Sequence, residues 1–332
     1  MKKIRVMIVG YGNVGRGVRL SLGKNPDMEL VGIVSRSPER VGKELPDVPV
    51  MAISDVEGWK KAFRPDVAIL CGGSKNDLPQ QGPEFAKYVN TVDSFDNHSR
   101  IPEYFADIDA AAKAAGHVSV ISTGWDPGIF SLERVLGGAF IPGARAYGFY
   151  GLGEKGGLSM GHSDALRTIP GVKDARQFTH AIPEAIERVR RGENPAFEPG
   201  DMHTRECFVV LEEGADREAV TKTILSMPGY FAPYKTTVNF VSQQELDEKY
   251  KGFPHDGLAI AVGETGDRHA ARVEYRCIWG SNPEATANVL VAHARAAARL
   301  AGENRSGAFT ILDIPPAYFT TLSREELLKH WM

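Results

Sequence analysis

The chain has 332 residues, of which 42% are hydrophobic and 24% charged, and its formal net charge is −3. That is an ordinary make-up for a soluble globular protein long enough to bury two cores. It gives no reason to expect nucleic acid as a partner, and no apolar run approaches the roughly 20 residues of a membrane span. The three cysteines, Cys71, Cys207 and Cys277, lie far apart without a CxxC, and the nine histidines form no HExxH. A reducing cytoplasm is therefore expected, and a disulfide framework or a metal site is not.

The N-terminal MKKIRVMIVGYG has a basic start, but its apolar run is too short for a signal peptide and lacks a small-residue cleavage site. Ile4–Val9 reads as a first strand. Further strand-like runs follow at Leu30–Val34, Val67–Leu70, Thr91–Val92 and Val118–Ile121. Helical stretches lie between them. One starts near Val14, one covers Val56–Phe63 behind a capping box of Ser54 and Glu57, and one, Ile101–Ala115, stops at Gly116. Strand–helix alternation at this spacing predicts parallel βαβ units, hence an α/β fold of Rossmann type with a doubly wound parallel sheet.

After Gly128 the texture changes. Strands are predicted at Ala144–Tyr150, Cys207–Leu211, Thr236–Val241, Leu258–Val262 and Arg272–Ile278, with helices at Pro183–Arg191, Arg217–Met227 and Pro283–Leu300. This order predicts a second, α+β domain with a mixed or antiparallel sheet. Phe309–Ile314 reads as one more strand, and Ser323–Glu326 as a second capping box opening a short helix. The expected division is a dinucleotide-binding domain over 1–125, a substrate-binding and dimerisation domain over 126–300, and a tail over 301–332 packing back on the first domain.

The motifs carry the chemistry. GYGNVG (Gly10, Tyr11, Gly12, Asn13, Val14, Gly15) matches GxGxxG where a strand ends and a helix opens, the context that suits a dinucleotide pyrophosphate. The second strand ends in Ser35, Arg36 and Ser37. It has no acid for a ribose 2′-hydroxyl, but a guanidinium and hydroxyls suited to a 2′-phosphate, so NADP is expected over NAD. CGGS (Cys71, Gly72, Gly73, Ser74) ends the third run, where small residues let backbone pass under a cofactor. Two acids then stand at late strand ends, Asp96 in TVDSFDNH, with Asp93 close by, and Asp126 in STGWDPGIF. The switch-point rule places ligands outside these ends.

The stretches IVGYGNVGRG, TVDSFDNH, STGWDPGIFS, GHSDALRTIPGV, ECFVV, MPGYF, GFPHDG and SGAFT, reaching to about Thr310, resemble the meso-diaminopimelate D-dehydrogenase family. The resemblance implies reversible oxidative deamination of the D-centre of meso-2,6-diaminopimelate with NADP(H), yielding L-2-amino-6-oxoheptanedioate and ammonia, in lysine biosynthesis. It implies that Asp96 and Asp126 hold the D-centre ammonium as the catalytic pair, and that Tyr150, Met160 and Gly161 line the same pocket. Thr179, Arg205, His255 and Asn282 would hold the far L-centre. Cofactor contacts would come from the GYGNVG turn, Ser35–Ser37, Cys71–Ser74, from Ser94, Phe95 and Asp96, and from Pro127, Gly128, Ile129, Phe130 and Ser131. A homodimer is implied as well.

The sequence departs from the family at Tyr150, where Trp is frequent, at Met160, where some members have Gln, and in a longer loop over Gly151–Ser159. On residues alone, Pro127 and Gly128 end the strand before them abruptly and are expected to free the following N–H groups for the cofactor. Trp125 shields the site or belongs to the core. The proton acceptor stays open among Asp96, Asp126 and water. Two other readings share the first domain: another NADP-dependent amino-acid dehydrogenase or imine reductase, and a non-catalytic NADP sensor.

Overall fold

A computed structural model of the protein describes residues 2–332. The chain opens with β1 (Ile4–Val9), α1 (Asn13–Leu22), β2 (Met28–Ser35), α2 (Pro38–Glu44), β3 (Val50–Ala52), α3 (Val56–Phe63), β4 (Val67–Leu70), α4 (Leu78–Ala86), β5 (Asn90–Asp93), α5 (Ile101–Ala115) and β6 (Val118–Val120). It continues with α6 (Ile129–Phe140), β7 (Arg145–Tyr150), β8 (Gly157–Leu158), α7 (Met160–Arg167), β9 (Val172–Ala181), α8 (Pro183–Arg190), α9 (Pro199–Met202) and β10 (His203–Leu211). The last part holds α10 (Arg217–Leu225), β11 (Lys235–Phe240), α11 (Gln243–Lys249), β12 (His255–Thr265), β13 (His269–Trp279), α12 (Asn282–Gly302), β14 (Gly307–Phe309) and α13 (Arg324–Trp331).

Two compact units emerge. The first comprises the described residues up to Leu132 together with Pro283–Met332, and the second is Glu133–Asn282. Boundaries expected at 125 and 300 therefore fall elsewhere. The C-terminal one moves most, because α12 buries Ala287, Leu290, Ala294, Ala297 and Leu300 in the first unit's core with Val18 and Leu22 of α1.

The first unit is a seven-stranded sheet ordered β14-β6-β5-β4-β1-β2-β3, with every neighbouring pair parallel. β-branched and aliphatic residues on both faces of each central strand demand cover on both sides. Val6, Ile8, Ile33, Val67 and Ile69 face α1 and α12; Met7, Val9, Val34, Ala68 and Leu70 face α3, α4 and α5, where Trp59 and Phe63 lie. The doubly wound order expected from the sequence is the one observed, and it puts the tips of β1, β4, β5 and β6 side by side. Arg295, 2% exposed, secures the C-terminal segment. Its guanidinium donates to Asp27 at 2.6 and 2.9 Å, to Asn25 Oδ1 at 2.6 Å and to the Phe319 carbonyl at 2.7 Å. Removing Asp27 would leave a buried guanidinium without its charged partner.

The second unit holds a four-stranded mixed sheet, β11-β10-β9-β8, and a three-stranded antiparallel one, β13-β12-β7. α7 and α10 cover one face of the larger sheet through Leu166, Val220 and Ile224 against Ala175, Cys207 and Val209. α8 covers the smaller one through Ile186 and Val189 against Phe149 and Ile260.

Local expectations need two corrections. α3 is capped by Asp55, not Ser54: the carboxylate, a charged acceptor at the positive helix end, takes the Gly58 N–H at 3.0 Å. The last strand stops at Phe309 rather than Ile314. Thr310 and Asp313 form a reciprocal cap, Thr310 N–H to Asp313 Oδ2 at 2.8 Å, that curls Ile311–Asp313 into a 3₁₀ turn.

Candidate active site

β1 ends at Val9, Gly10 turns at φ 88°, and α1 opens behind Gly12, which contributes no side-chain cap. A methyl group at Gly15 would lie 2.4 Å from the Gly10 carbonyl oxygen, so only glycine lets the helix pack this closely on the strand. A methyl at Gly12 would meet nothing within 4 Å. The open space faces first-turn N–H groups that have no intrahelical partner and carry the positive end of the helix dipole. This is a fitting seat for a pyrophosphate. Tyr11 is buried beside it, with the Arg16 guanidinium 5.4 Å over its ring.

At the tip of β2 the three expected residues divide their work. Ser35 is buried and its Oγ accepts the Ser37 N–H at 3.1 Å, so it shapes the turn instead of offering its hydroxyl outward. Arg36 and Ser37 remain exposed. The Arg36 guanidinium lies 3.0 Å from Asp77, whose other oxygen accepts the Gly73 N–H at 2.9 Å. Asp77 thus ties the β2 tip to the Cys71–Ser74 loop, a link that sequence reasoning missed. Arg36→Ala should weaken NADP⁺ about ten- to a hundredfold, the range of a charge-assisted bond. NAD⁺ should change by less than about threefold. Fluorescence titration of the two nucleotides checks this, and equal losses would reduce Arg36 to a partner of Asp77.

The acids sit on neighbouring tips, because β5 and β6 pair in parallel with Thr91 opposite Ser119 and Val92 opposite Val120. Asp96 is exposed, and its N–H donates to Ser74 Oγ at 3.1 Å. Asp126 is half-buried, and its peptide bond to Pro127 is cis. A methyl on Gly124 would stand 3.7 Å from Ser94 Cβ, so the two loops touch. Beyond Asp126 the chain reverses through Gly128 at φ 135°, where a methyl would lie 1.8 Å from the Gly124 carbonyl oxygen.

This turn corrects the expectation of free N–H groups. Gly128 N–H donates to Ser131 Oγ at 3.2 Å, Ile129 N–H to the Gly124 carbonyl at 3.3 Å and Phe130 N–H to the Trp125 carbonyl at 2.8 Å. The turn takes up these three. Trp125 is core, 7% exposed and edge-on to Phe130 at 5.1 Å.

The second unit gathers the residues expected at the far end. Thr179 on β9 stands directly opposite Arg205 on β10, and the guanidinium donates to the Thr179 hydroxyl. The Tyr234 ring lies 4.0 Å from the guanidinium carbon, a cation–π contact. Arg205 Nε is buried without a hydrogen-bond partner. A methyl on Gly157 would lie 2.5 Å from the His255 ring, and β8 places Gly157 opposite Thr179. Asn282 donates to the Leu158 carbonyl at 3.3 Å. The Tyr150 ring stacks on His203 at 5.2 Å, with the Tyr150 N–H donating to His203 Nε2 at 3.0 Å. Met160 and Gly161 open α7 behind Ser159; Met160 packs against the cluster that contains Leu158, Phe178 and Phe208, and Gly161 is exposed.

Sequence reasoning missed His162, Gln177, His203 and Tyr234. Period-2 spacing would have found two of them, since Gln177 precedes Thr179, and His203 precedes Arg205, on the same strand faces. Burial first, then the Arg205 charge, hold His203 neutral with its pKa lowered to about 3. Burial lowers His255 to about 4. A buried guanidinium among neutral imidazoles invites a carboxylate.

These histidines set an acid limit. Their folded pKa values lie below the ordinary 6.5, so their contribution to stability is complete above pH 6.5 and lost as pH falls from there towards 4. At pH 5.5 each has lost about 1.4 kcal/mol. Glu133, raised to about 7 by burial, acts oppositely across the same window and offsets up to one of them. Hydrogen exchange of the ligand-free protein should show residues 133–282 losing protection first below pH 6, and His203→Gln should flatten that dependence.

A doubly wound parallel sheet with a glycine-rich turn between its first strand and helix, paired acids at adjacent strand tips and a second unit holding a buried guanidinium suit a dinucleotide-dependent oxidoreductase that handles a charged substrate. Residues 124–281 match the model of the diaminopimelic acid dehydrogenase C-terminal domain. The chain is 49% identical to meso-diaminopimelate D-dehydrogenase of Ureibacillus thermosphaericus over 99% of both chains. It superposes on the C. glutamicum DAP dehydrogenase in complex with DAP with a TM-score of 0.93 at 41% identity, covering 100% of both chains. It matches an engineered D-amino acid dehydrogenase bound to NADP⁺ with a TM-score of 0.91 at 40% identity, again over 100% of both chains. The chain belongs to the meso-diaminopimelate D-dehydrogenase family.

Proposed function

We propose that the protein oxidises the D-centre of meso-2,6-diaminopimelate with NADP⁺, giving L-2-amino-6-oxoheptanedioate, ammonia and NADPH, and runs the reverse reductive amination in lysine biosynthesis. The reading is carried by the chemistry of two groups of residues, one in each unit. Two carboxylates at adjacent strand tips suit an ammonium, and a buried guanidinium with an unused N–H suits a remote carboxylate.

The residues present fit the cofactor. The first turn of α1 seats the pyrophosphate, Arg36 and Ser37 take the 2′-phosphate, and the Cys71–Ser74 and Ser94–Asp96 loops flank them. When bound, NADP⁺ supplies the hydride acceptor. The chain's own groups do the rest. Asp96 and Asp126 bind the D-centre ammonium and stabilise the positive charge that persists on nitrogen as the carbon becomes an iminium. A proton must leave the ammonium before hydride departs, and one of these carboxylates or a water takes it. Thr179, Arg205, His255 and Asn282 hold the L-centre, with Tyr150, Met160 and Gly161 nearer the D-centre. Grip on one end of a nearly symmetric molecule decides which end is presented for reaction.

The protein is read as a homodimer joined through its second unit, working in the cytoplasm. Among the described residues no helix is long and apolar enough to cross a membrane. The test is NADPH formation with the meso, LL and DD isomers and with simple D-amino acids. Activity with the meso form alone is expected. Comparable rates with simple D-amino acids would point to a looser amino-acid dehydrogenase, and nucleotide binding without turnover to a sensor.

A further inference from the structure

Asp93 ends β5 three residues before Asp96 and has no exposed surface. One oxygen of its carboxylate accepts two backbone N–H groups, from Phe95 at 2.9 Å and from Ser122 at 3.1 Å. The other accepts the Tyr104 hydroxyl at 2.8 Å. The Asp93 carbonyl takes the N–H and the hydroxyl of Thr123, both at 2.9 Å. Phe95 belongs to the loop that presents Asp96, and Ser122 and Thr123 begin the segment that presents Asp126. A single residue therefore holds both acidic tips.

Two further features show that this arrangement is imposed on the chain. Ser122 sits in the left-handed region at φ 56°, and its buried hydroxyl has no hydrogen-bond partner among the described residues. Both are unfavourable and persist only where surrounding structure over-determines them. Phe95 in turn stacks on Tyr104 at 4.1 Å. The carboxylate, the phenol it accepts from and the ring lying on that phenol thus form a closed circuit that ties the 94–96 loop to β5 and α5. Burying a carboxylate here raises its pKa to about 6 against the pull of the three donors, a cost that a simple core residue would avoid. Deeper in the same strand pair, Thr91 and Ser119 make an ordinary neutral link at 2.8 Å.

We propose that Asp93 is a positioning residue for the deamination: its carboxylate fixes the spacing of Asp96 and Asp126, so that both meet one substrate nitrogen. This rests on the assignment of those two acids as the ammonium-binding pair. Removing the brace leaves both acids present but lets the tips drift, and a misplacement of about 1 Å is enough to cost a hundredfold in rate.

The experiment compares Asp93→Ala, Asp93→Asn and the double variant Thr91→Val/Ser119→Ala in the full-length protein. It records kcat and KM for meso-diaminopimelate, the Kd of NADP⁺, the melting temperature and hydrogen exchange at the Phe95 and Ser122 amides. Asp93→Ala is expected to lower kcat/KM about a hundredfold, mainly through kcat. The NADP⁺ Kd should stay within about twofold, and the two amides should lose protection. Asp93→Asn keeps an oxygen for both N–H groups and should recover most of the rate. The double variant should lower the melting temperature with kcat unchanged. Should Asp93→Ala not fold, Tyr104→Phe replaces it, with a smaller loss of the same kind. Loss of kcat in proportion to melting temperature across all variants would make Asp93 merely structural and overturn the inference. So would full activity in Asp93→Ala. A wild-type protein inactive on the meso isomer, with protection at the two amides still dependent on Asp93, would instead remove the substrate reading and leave the brace standing.

Discussion

Asp126→Ala should lower kcat/KM for meso-diaminopimelate about a thousandfold while leaving the Kd of NADP⁺ within about twofold. The size follows from the charge that Asp126 is positioned to oppose. As hydride leaves, the D-carbon and its nitrogen share a positive charge, and a carboxylate roughly 4 Å away contributes about 4 kcal/mol at the effective dielectric of a partly buried site. Because the same carboxylate also holds the ground-state ammonium, that energy is shared between binding and the chemical step and is read in full in kcat/KM. The indifference of the cofactor follows from the turn itself. The reversal after Asp126 is held by backbone bonds, including Phe130 N–H to the Trp125 carbonyl at 2.8 Å, and by glycine at φ 135°. None of these needs the Asp126 side chain. Asp126→Asn separates the contributions, because it keeps an acceptor oxygen and loses the charge. A drop nearly as deep as that of alanine assigns the effect to charge. Rapid-mixing kinetics and nucleotide titration measure both quantities, and a parallel loss of NADP⁺ affinity would mean that the residue belongs to the cofactor's seat.

The first unit was legible in the sequence because its signals are local. A parallel strand buried on both faces is a short continuous apolar run, and the glycine-rich turn sits at fixed offsets from it, so β1, β4 and the α1 opening were found within a residue or so. β9 was not anticipated. Its sequence VKDARQFTHA interleaves charged residues with the buried Val172, Ala175 and Phe178, and polarity of that kind reads as loop until a partner strand is known. The far-end pocket shows the same limit. Thr179 and Arg205 are twenty-six positions apart and become opposite neighbours only through the β9–β10 register. Tyr234, which stacks on the guanidinium, comes from outside any strand. Resemblance to a family could name such residues. Local pattern could not, because register is a property of two segments. The misjudged N–H groups after Pro127 have a different cause. A proline–glycine pair announces a turn but not which acceptors close it, and here the Gly124 and Trp125 carbonyls do.

Arg205→Met should cut kcat/KM for meso-diaminopimelate about a hundred- to a thousandfold, and yet leave or raise the rate with a D-amino acid whose far end is apolar, such as D-norleucine. The asymmetry is one of desolvation. Arg205 is 8% exposed, rests on Tyr234 and keeps a buried Nε–H without a partner. A substrate carboxylate answers that donor with charge-assisted bonds, and truncating one side of such a buried pair costs about 3–4 kcal/mol. An apolar substrate end would instead seal the guanidinium away from water with nothing to accept from it, so the wild-type pocket rejects it. Methionine fills similar space and removes the penalty. The ratio of the two kcat/KM values should therefore fall by at least as much as the meso-diaminopimelate value. Steady-state kinetics on both substrates decide the matter. Equal losses on the two would mean that the variant has damaged the β9–β10 sheet, and an unchanged value for meso-diaminopimelate would place the far carboxylate somewhere other than against Arg205.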